Sequence, residues 1–276
     1  MPGAYPRKPD LLTNWESRVN ESSKGASRPR RRRIRAAIVL LASIILTTTG
    51  LTWASPAQAQ TQPSGIDVSH YQGSINWASV KAAGIDFAYI KATEGTTYKD
   101  PRFNTNYPAA HGAGVIRGAY HFARPGSSSG AAQANYFVAN GGAWSADNLT
   151  LPGALDLEAP PSGAACYGLS TSAMRSWITD FYNTYKAATG RDVVIYTTAS
   201  WWNSCTGSWT GMASKSPLWV AHWGASSPTR PAGWSSTTWT FWQYTSSGSV
   251  SGISGNVDRN NFNGSQARLL ALANNT

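Results

Sequence analysis

Two carboxylates stand where chemistry could be done. Asp156 and Glu158 lie two residues apart at the end of the apolar run Leu151-Pro-Gly-Ala-Leu-Asp-Leu-Glu158. In an extended strand side chains alternate faces, so the two acids point the same way, about 6 to 7 Å apart along the chain. Leu155 and Leu157 then face the opposite layer. Like-charge repulsion between two such groups favours one staying protonated near neutral pH while the other is ionised. That is a proton donor and an anion in one motif, although a solvated strand end bearing two acids has the same spacing. Two more acids stand in apolar surroundings: Asp67, in Gly65-Ile-Asp-Val-Ser-His-Tyr-Gln-Gly73, and Asp258, between Val257 and Arg259. An unpaired charge there would be costly. Asp67 is therefore either a structural group held by hydrogen bonds or a catalytic residue, and Asp258 either an ion-pair partner of Arg259 or a catalytic residue of the same site. Glu94 opens a loop. His70 and His121 have no Ser or Cys nucleophile motif beside them and read as groove-lining or packed residues.

Something must bring these acids together, and the pattern of apolar runs supplies it. Strands are predicted at residues 66–68, 86–92, 114–122, the acid motif, 192–196, 218–221, 238–244 and 255–258. Helices are predicted at 75–84, near 101–111, at 130–139 and at 171–188, with at most one closing helix at 266–273. Repeated alternation of strand and helix implies parallel strands with right-handed crossovers. The predicted fold class is therefore α/β, a modified TIM-like barrel of five β/α units followed by three strands with few or no helices. Such barrels place their chemistry at the carboxyl ends of the strands. Asp67, Glu94, Tyr120, Glu158, Tyr196, His222, Gln243 and Asp258 all fall at or just beyond predicted strand ends. Aromatic rings could line a groove among them: Trp201, Trp202, Trp219, Trp223, Trp239 and Trp242 cluster in the second half, and two or three of them are expected to touch ligand, with Trp242 assigned to that group.

The formal net charge of +10 is unevenly spread. Residues 1–59 hold ten Lys or Arg against three Asp or Glu, whereas the rest holds thirteen against ten. The basic character thus belongs mostly to a leader, and nucleic-acid binding loses its support. Arg28 to Arg35 forms a basic segment, 36–46 an apolar one, and Ala57-Gln-Ala59 a small-x-small cleavage site, the pattern of a signal peptide with a mature start near Gln60. The expected organisation is a leader over 1–59 and one catalytic domain over 60–276, secreted and extracellular, with no stable membrane association after cleavage. The two cysteines, Cys166 and Cys205, would form one disulfide in an oxidising compartment. Neither has metal-ligand spacing, so neither a metal nor another cofactor is expected.

Six ordered motifs narrow the reading: Gly65 to Gly73, Lys91-Ala-Thr-Glu-Gly95, Gly118-Ala-Tyr-His-Phe122, Leu155-Asp-Leu-Glu158, Trp242-Gln-Tyr244 and Val257-Asp-Arg-Asn-Asn-Phe262. In this order they resemble glycoside hydrolase family 25, the Chalaropsis-type lysozymes, over roughly residues 64–264, and most of all its secreted actinobacterial N-acetylmuramidases. The resemblance implies cleavage of the β-1,4 bond from N-acetylmuramic acid to N-acetylglucosamine in peptidoglycan glycan strands by a monomeric enzyme. Glu158 would be the general acid and Asp156 would assist the substrate's own 2-acetamido group. Asp67 and Asp258 match the family's other two groove acids, and Tyr120 its tyrosine. Two carboxyl groups do suffice for glycoside hydrolysis without a cofactor. A chitinase-like hydrolase and a catalytically silent wall-binding protein remain the competing readings.

Overall fold

A computed structural model describes residues 61–234 and 239–276. The expected leader and its cleavage point lie outside them. Nine strands form one sheet: β1 (Ser64–Val68), β2 (Phe87–Glu94), β3 (Tyr98–Lys99), β4 (Ile116–Phe122), β5 (Ala154–Asp156), β6 (Val194–Thr197), β7 (Leu218–Ala221), β8 (Phe241–Gly248) and β9 (Val257–Phe262). Eight of them close into a barrel, with β1 paired to both β2 and β9, while the two-residue β3 merely extends the edge of β2. The helices are α1 (Trp77–Ala82), α2 (Phe103–Gly112), α3 (Gly130–Phe137), α4 (Thr171–Thr189), α5 (Ala199–Thr206) and α6 (Gln266–Asn274). The order is five β/α units followed by β7, β8 and β9, the predicted architecture. Among the described residues no helix is long and apolar enough to cross a membrane.

Seven barrel strands are parallel, and β9 runs against both of its neighbours. The reason is local: β8 continues to Gly248, and only eight residues separate it from Val257, enough for a hairpin and too few for a helical crossover. The reversal matters because the first residues of β9 meet the last residues of β1, where Asp258 lies opposite Asp67. Asp258 therefore reaches the rim from the start of its strand, not from the end as the sequence pattern suggested.

Two cores follow from strand alternation. The outer one, between barrel and helices, holds Ile66, Val68, Ile90, Leu155, Leu157, Ile195, Val220 and the apolar face of α4. The inner one holds Phe87, Tyr89, Val194, Trp219, Phe241 and Phe262, closed at the amino ends of the parallel strands by Leu269 and Ala273 of α6. Gly65 and Gly118 face this interior because a Cβ there would sit 2.3 Å from the rings of Phe87 and Tyr89, respectively. The space those two glycines leave is filled by aromatic rings, which makes the barrel a packed core with a solid floor.

Helix α5, which the sequence pattern did not mark, follows β6 and carries Trp201 and Trp202, both buried in the outer core. It is capped by the Thr198 hydroxyl and tied by the Cys166–Cys205 disulfide to the segment after β5.

Candidate active site

Asp67, Asp156, Glu158 and Asp258 line one trench of about 280 Å³ over the carboxyl ends of the parallel strands, together with Lys91, Tyr120, Tyr196, Trp219, Trp223 and Gln243. The alternation inferred from sequence places them. Leu155 and Leu157 pack outward, and Asp156 and Glu158 point into the trench from β5 and the residues just past it. In register, Asp156 lies between Phe122 of β4 and Tyr196 of β6.

The floor is an aromatic box wired by hydrogen bonds. Trp219, 2% exposed, stacks on Tyr89 at 4.7 Å and meets the edges of Tyr196 and Tyr120 at 4.8 and 6.4 Å. Its indole N–H donates to Asn260 Oδ1 at 2.7 Å, and Asn260 Nδ2 donates to Asp67 Oδ2 at 2.8 Å. Gln243 Nε2 donates to the same Asp67 oxygen at 2.9 Å, while Gln243 Oε1 accepts from the Tyr196 hydroxyl at 3.0 Å and from the Trp223 indole at 2.9 Å. Asp67 is thus held by hydrogen bonds and also lines the trench. No Arg259 ion pair accounts for Asp258: the Arg259 guanidinium donates instead to the Ser249 carbonyl and the Ser64 hydroxyl.

Crowding the four acids into a poorly solvated trench raises all of them. Burial is the first cause in every case. It takes Asp67 to about 6 against the pull of its two amide donors, and Asp258 to about 8 with help from the Asp67 and Glu158 charges. Glu158 rises to about 7, with the Asp67 charge adding to burial and Lys91 and Arg124 opposing. Asp156, more enclosed than Glu158, is pushed well above the usual carboxylate range by burial and then by the Glu158 charge, against Lys91. The sequence reading left one of the pair ionised near neutrality. In the free protein burial moves both upward, Asp156 included. Asp156 Oδ1 is moreover buried without a hydrogen-bond partner.

Lys91 is the group that sequence reasoning passed over. It is 8% exposed, and its ammonium reaches Glu94 Oε2 at 2.7 Å and lies 4.9 Å from the Phe122 ring centre. Strand alternation gives its direction: Tyr89 faces inward and Ile90 outward, so Lys91 enters the trench beside Tyr120, and the register shift that follows it leaves Thr93 paired with His121 on the outer side. Glu94 is in turn gripped by Arg124, whose Nε donates to Oε1 at 2.8 Å, and these charges hold its carboxyl low against burial. Glu94 itself does not line the trench. It anchors Lys91 from behind.

The other expected site residues sort by face. Tyr120 and Tyr196 line the trench, and burial holds both phenols well above their usual range, as neutral donors. Of the tryptophans, Trp219 and Trp223 line it. Trp242 does not: the alternation that sends Gln243 inward sends Trp242 outward, against Trp239 and Tyr244, with its indole N–H donating to the His222 carbonyl. His222 faces a neighbouring hollow, and its Nδ1 accepts from the Thr229 amide. His70 is bound to the buried Asp100 at 2.9 Å, and His121 is wholly buried against Thr93 and Gln133.

Residues 66–253 match the family model for glycosyl hydrolases family 25. Lysozyme M1 of Streptomyces globisporus is 73% identical over 212 residues, covering 77% of this chain and 71% of that protein. The N,O-diacetylmuramidase of Chalaropsis sp is 48% identical over 202 residues, covering 70% of this chain and 95% of that protein. Among solved structures, the bacterial lysozyme from Streptomyces coelicolor superposes with a TM-score of 0.77 at 71% identity, over 78% of this chain and 99% of the other.

Proposed function

The chain belongs to glycosyl hydrolases family 25, and on that premise we propose that it is an exported muramidase. It cuts the β-1,4 bond from N-acetylmuramic acid to N-acetylglucosamine in bacterial peptidoglycan. The observation that carries this reading is the trench itself: a partly open glutamic acid raised to about 7 beside an enclosed aspartate with an unpartnered oxygen. The family relatives named as lysozyme and N,O-diacetylmuramidase support the substrate class. The basic-apolar leader supports export of a mature form beginning near Gln60.

In the proposed mechanism protonated Glu158 gives its proton to the glycosidic oxygen as the C1–O bond breaks. The 2-acetamido oxygen of the muramic acid attacks C1 from the other side, and Asp156 accepts a hydrogen bond from the acetamido N–H, which gives Oδ1 the partner it lacks. Positive charge on the ring and amide is then offset by Asp156, whose ionised form Lys91 favours. Glu158, now ionised, takes a proton from water, which adds to C1 and releases the acetamido group. Asp67 keeps the Glu158 pKa high by its charge, and the Gln243 and Asn260 amides keep Asp67 in place. Tyr120 acts as a neutral hydrogen-bond donor to the sugar, while Tyr196, whose hydroxyl proton goes to Gln243, offers the sugar its oxygen as an acceptor.

Digestion of peptidoglycan followed by borohydride reduction tests the bond assignment. New muramitol ends are expected, and new glucosaminitol ends would make it a chitinase-like enzyme instead. Glu158→Gln should lose at least about 100-fold in rate with the fold intact; equal release of reducing ends by variant and wild type would end the assignment of the acid.

A further inference from the structure

Beside the trench lies a second hollow, of about 360 Å³, lined by Thr198, Ala199, Ser200, Ala221, His222, Trp223 and Thr229. It opens past the carboxyl ends of β6 and β7, on the face that carries the acids, and Trp223 is common to both walls. Building on the muramidase reading, we propose that this hollow is an accessory saccharide site, which takes a further N-acetylated sugar of the same glycan strand whose bond is cut over Asp156 and Glu158.

Three observations point there. Trp223 keeps 55% of its surface exposed, yet it is not loose, because its indole N–H is fixed to Gln243 on the trench floor. A large ring held at a rim at the expense of apolar exposure is a stacking platform. Next, the cavity exists because its other walls are small: Ala199 and Ser200 at the first turn of α5, and Ala221 at the end of β7. A volume of this size suits one ring-sized ligand. Finally, its lining includes no Lys, Arg, Asp or Glu, and its polar groups are hydroxyls and one imidazole whose Nδ1 is already occupied by the Thr229 amide. Apolar carbon with hydroxyl edges matches the C–H face and acetyl methyl of a neutral sugar. The carboxylates of a peptide stem would find no counter-charge.

Chain-length dependence is the test. Peptide-free, reduced oligosaccharides of alternating N-acetylglucosamine and N-acetylmuramic acid, four, six and eight sugars long, are cleaved by the full enzyme and by Ser200→Trp and Thr229→Trp. Both positions are exposed, so each new ring can fill the hollow from outside. Burying about 60 Å² of apolar sugar surface corresponds to about tenfold, so wild-type kcat/KM should rise by about that factor from the shortest chains to the longer ones. In both variants the long-to-short ratio should fall to about one. The ratio is internally normalised, since a variant that merely folds poorly loses both rates together. An undiminished ratio in the two variants overturns the proposal, as does a gain seen only when the chains carry peptide stems. Failure of the wild type to cut any chain length would instead overturn the muramidase reading beneath it.

Discussion

The pKa of Glu158 makes the most exposed prediction. A glutamic acid at its ordinary value of 4.5 would be only about 3% protonated at pH 6, whereas one at about 7 is about 90% protonated, an advantage of about 30-fold for a general acid. The sign follows from the roles: Glu158 must be protonated, so kcat/KM should fall about tenfold per unit above pH 7, while the acid limb belongs to Asp156, which must be ionised and is raised by burial. The Asp67 charge is the largest electrostatic contribution raising Glu158 after burial, and Asp67 itself, at about 6, is ionised near that limb. Asp67→Asn removes that charge and should move the basic limb acidward by about one unit. The assay is release of reducing ends from soluble, peptide-free glycan chains across pH 4 to 9, which keeps ionisation of the wall out of the profile. A basic limb near 4.5 in the wild type, or a limb that stays put in Asp67→Asn, would refute the reasoning.

Lys91→Met should shift both limbs to higher pH and lower the maximum rate, because the lost ammonium favoured the ionised forms of Asp156 and Glu158; Lys91→Arg should restore part of both, and an unshifted profile in Lys91→Met would count against it. Replacing both Cys166 and Cys205 by Ser opens a link across a sequence separation of 39, which in a chain-entropy account costs about 4 kcal/mol, so melting should occur about 10 °C lower, and an unchanged melt would show the link to be idle. Gly118→Ala would press a methyl into the Tyr89 ring, which is anchored by its hydroxyl to the Pro152 carbonyl, and should destabilise by about 1 to 3 kcal/mol in chemical denaturation.

The sequence made the strands and the four acids legible because both depend on local pattern. Alternation around Leu155 and Leu157 assigned Asp156 and Glu158 to one face, and the pattern at 218–221 coincides with β7. What it hid depends on partners. In a barrel clothed by helices both faces of a strand are apolar, so period two gives parity without saying which side is inside. That is why Trp242 could be assigned to the trench when it packs on the outer layer. Lys91 stood in an apolar strand with nothing local to show which parity faces the barrel interior, and Asn260 shows its role only through Asp67 and Trp219, both distant in sequence. The direction of β9 was likewise invisible at Asp258 itself, since it follows from the short connection to β8.

That reversed strand also decides where the molecule can be held. β1 rises toward the trench from Ser64 and β9 descends to Phe262, with Ser64 and Asn261 side by side at the far end. Beyond it, the last turn of α6 is gripped from below by the Arg191 guanidinium through the carbonyls of Leu272 and Ala273. Both ends of the barrel's chain therefore leave from the side opposite the acids. A resin, a carrier or a second protein coupled at either end would leave the cutting face turned outward, free to work along a surface too large to enter solution.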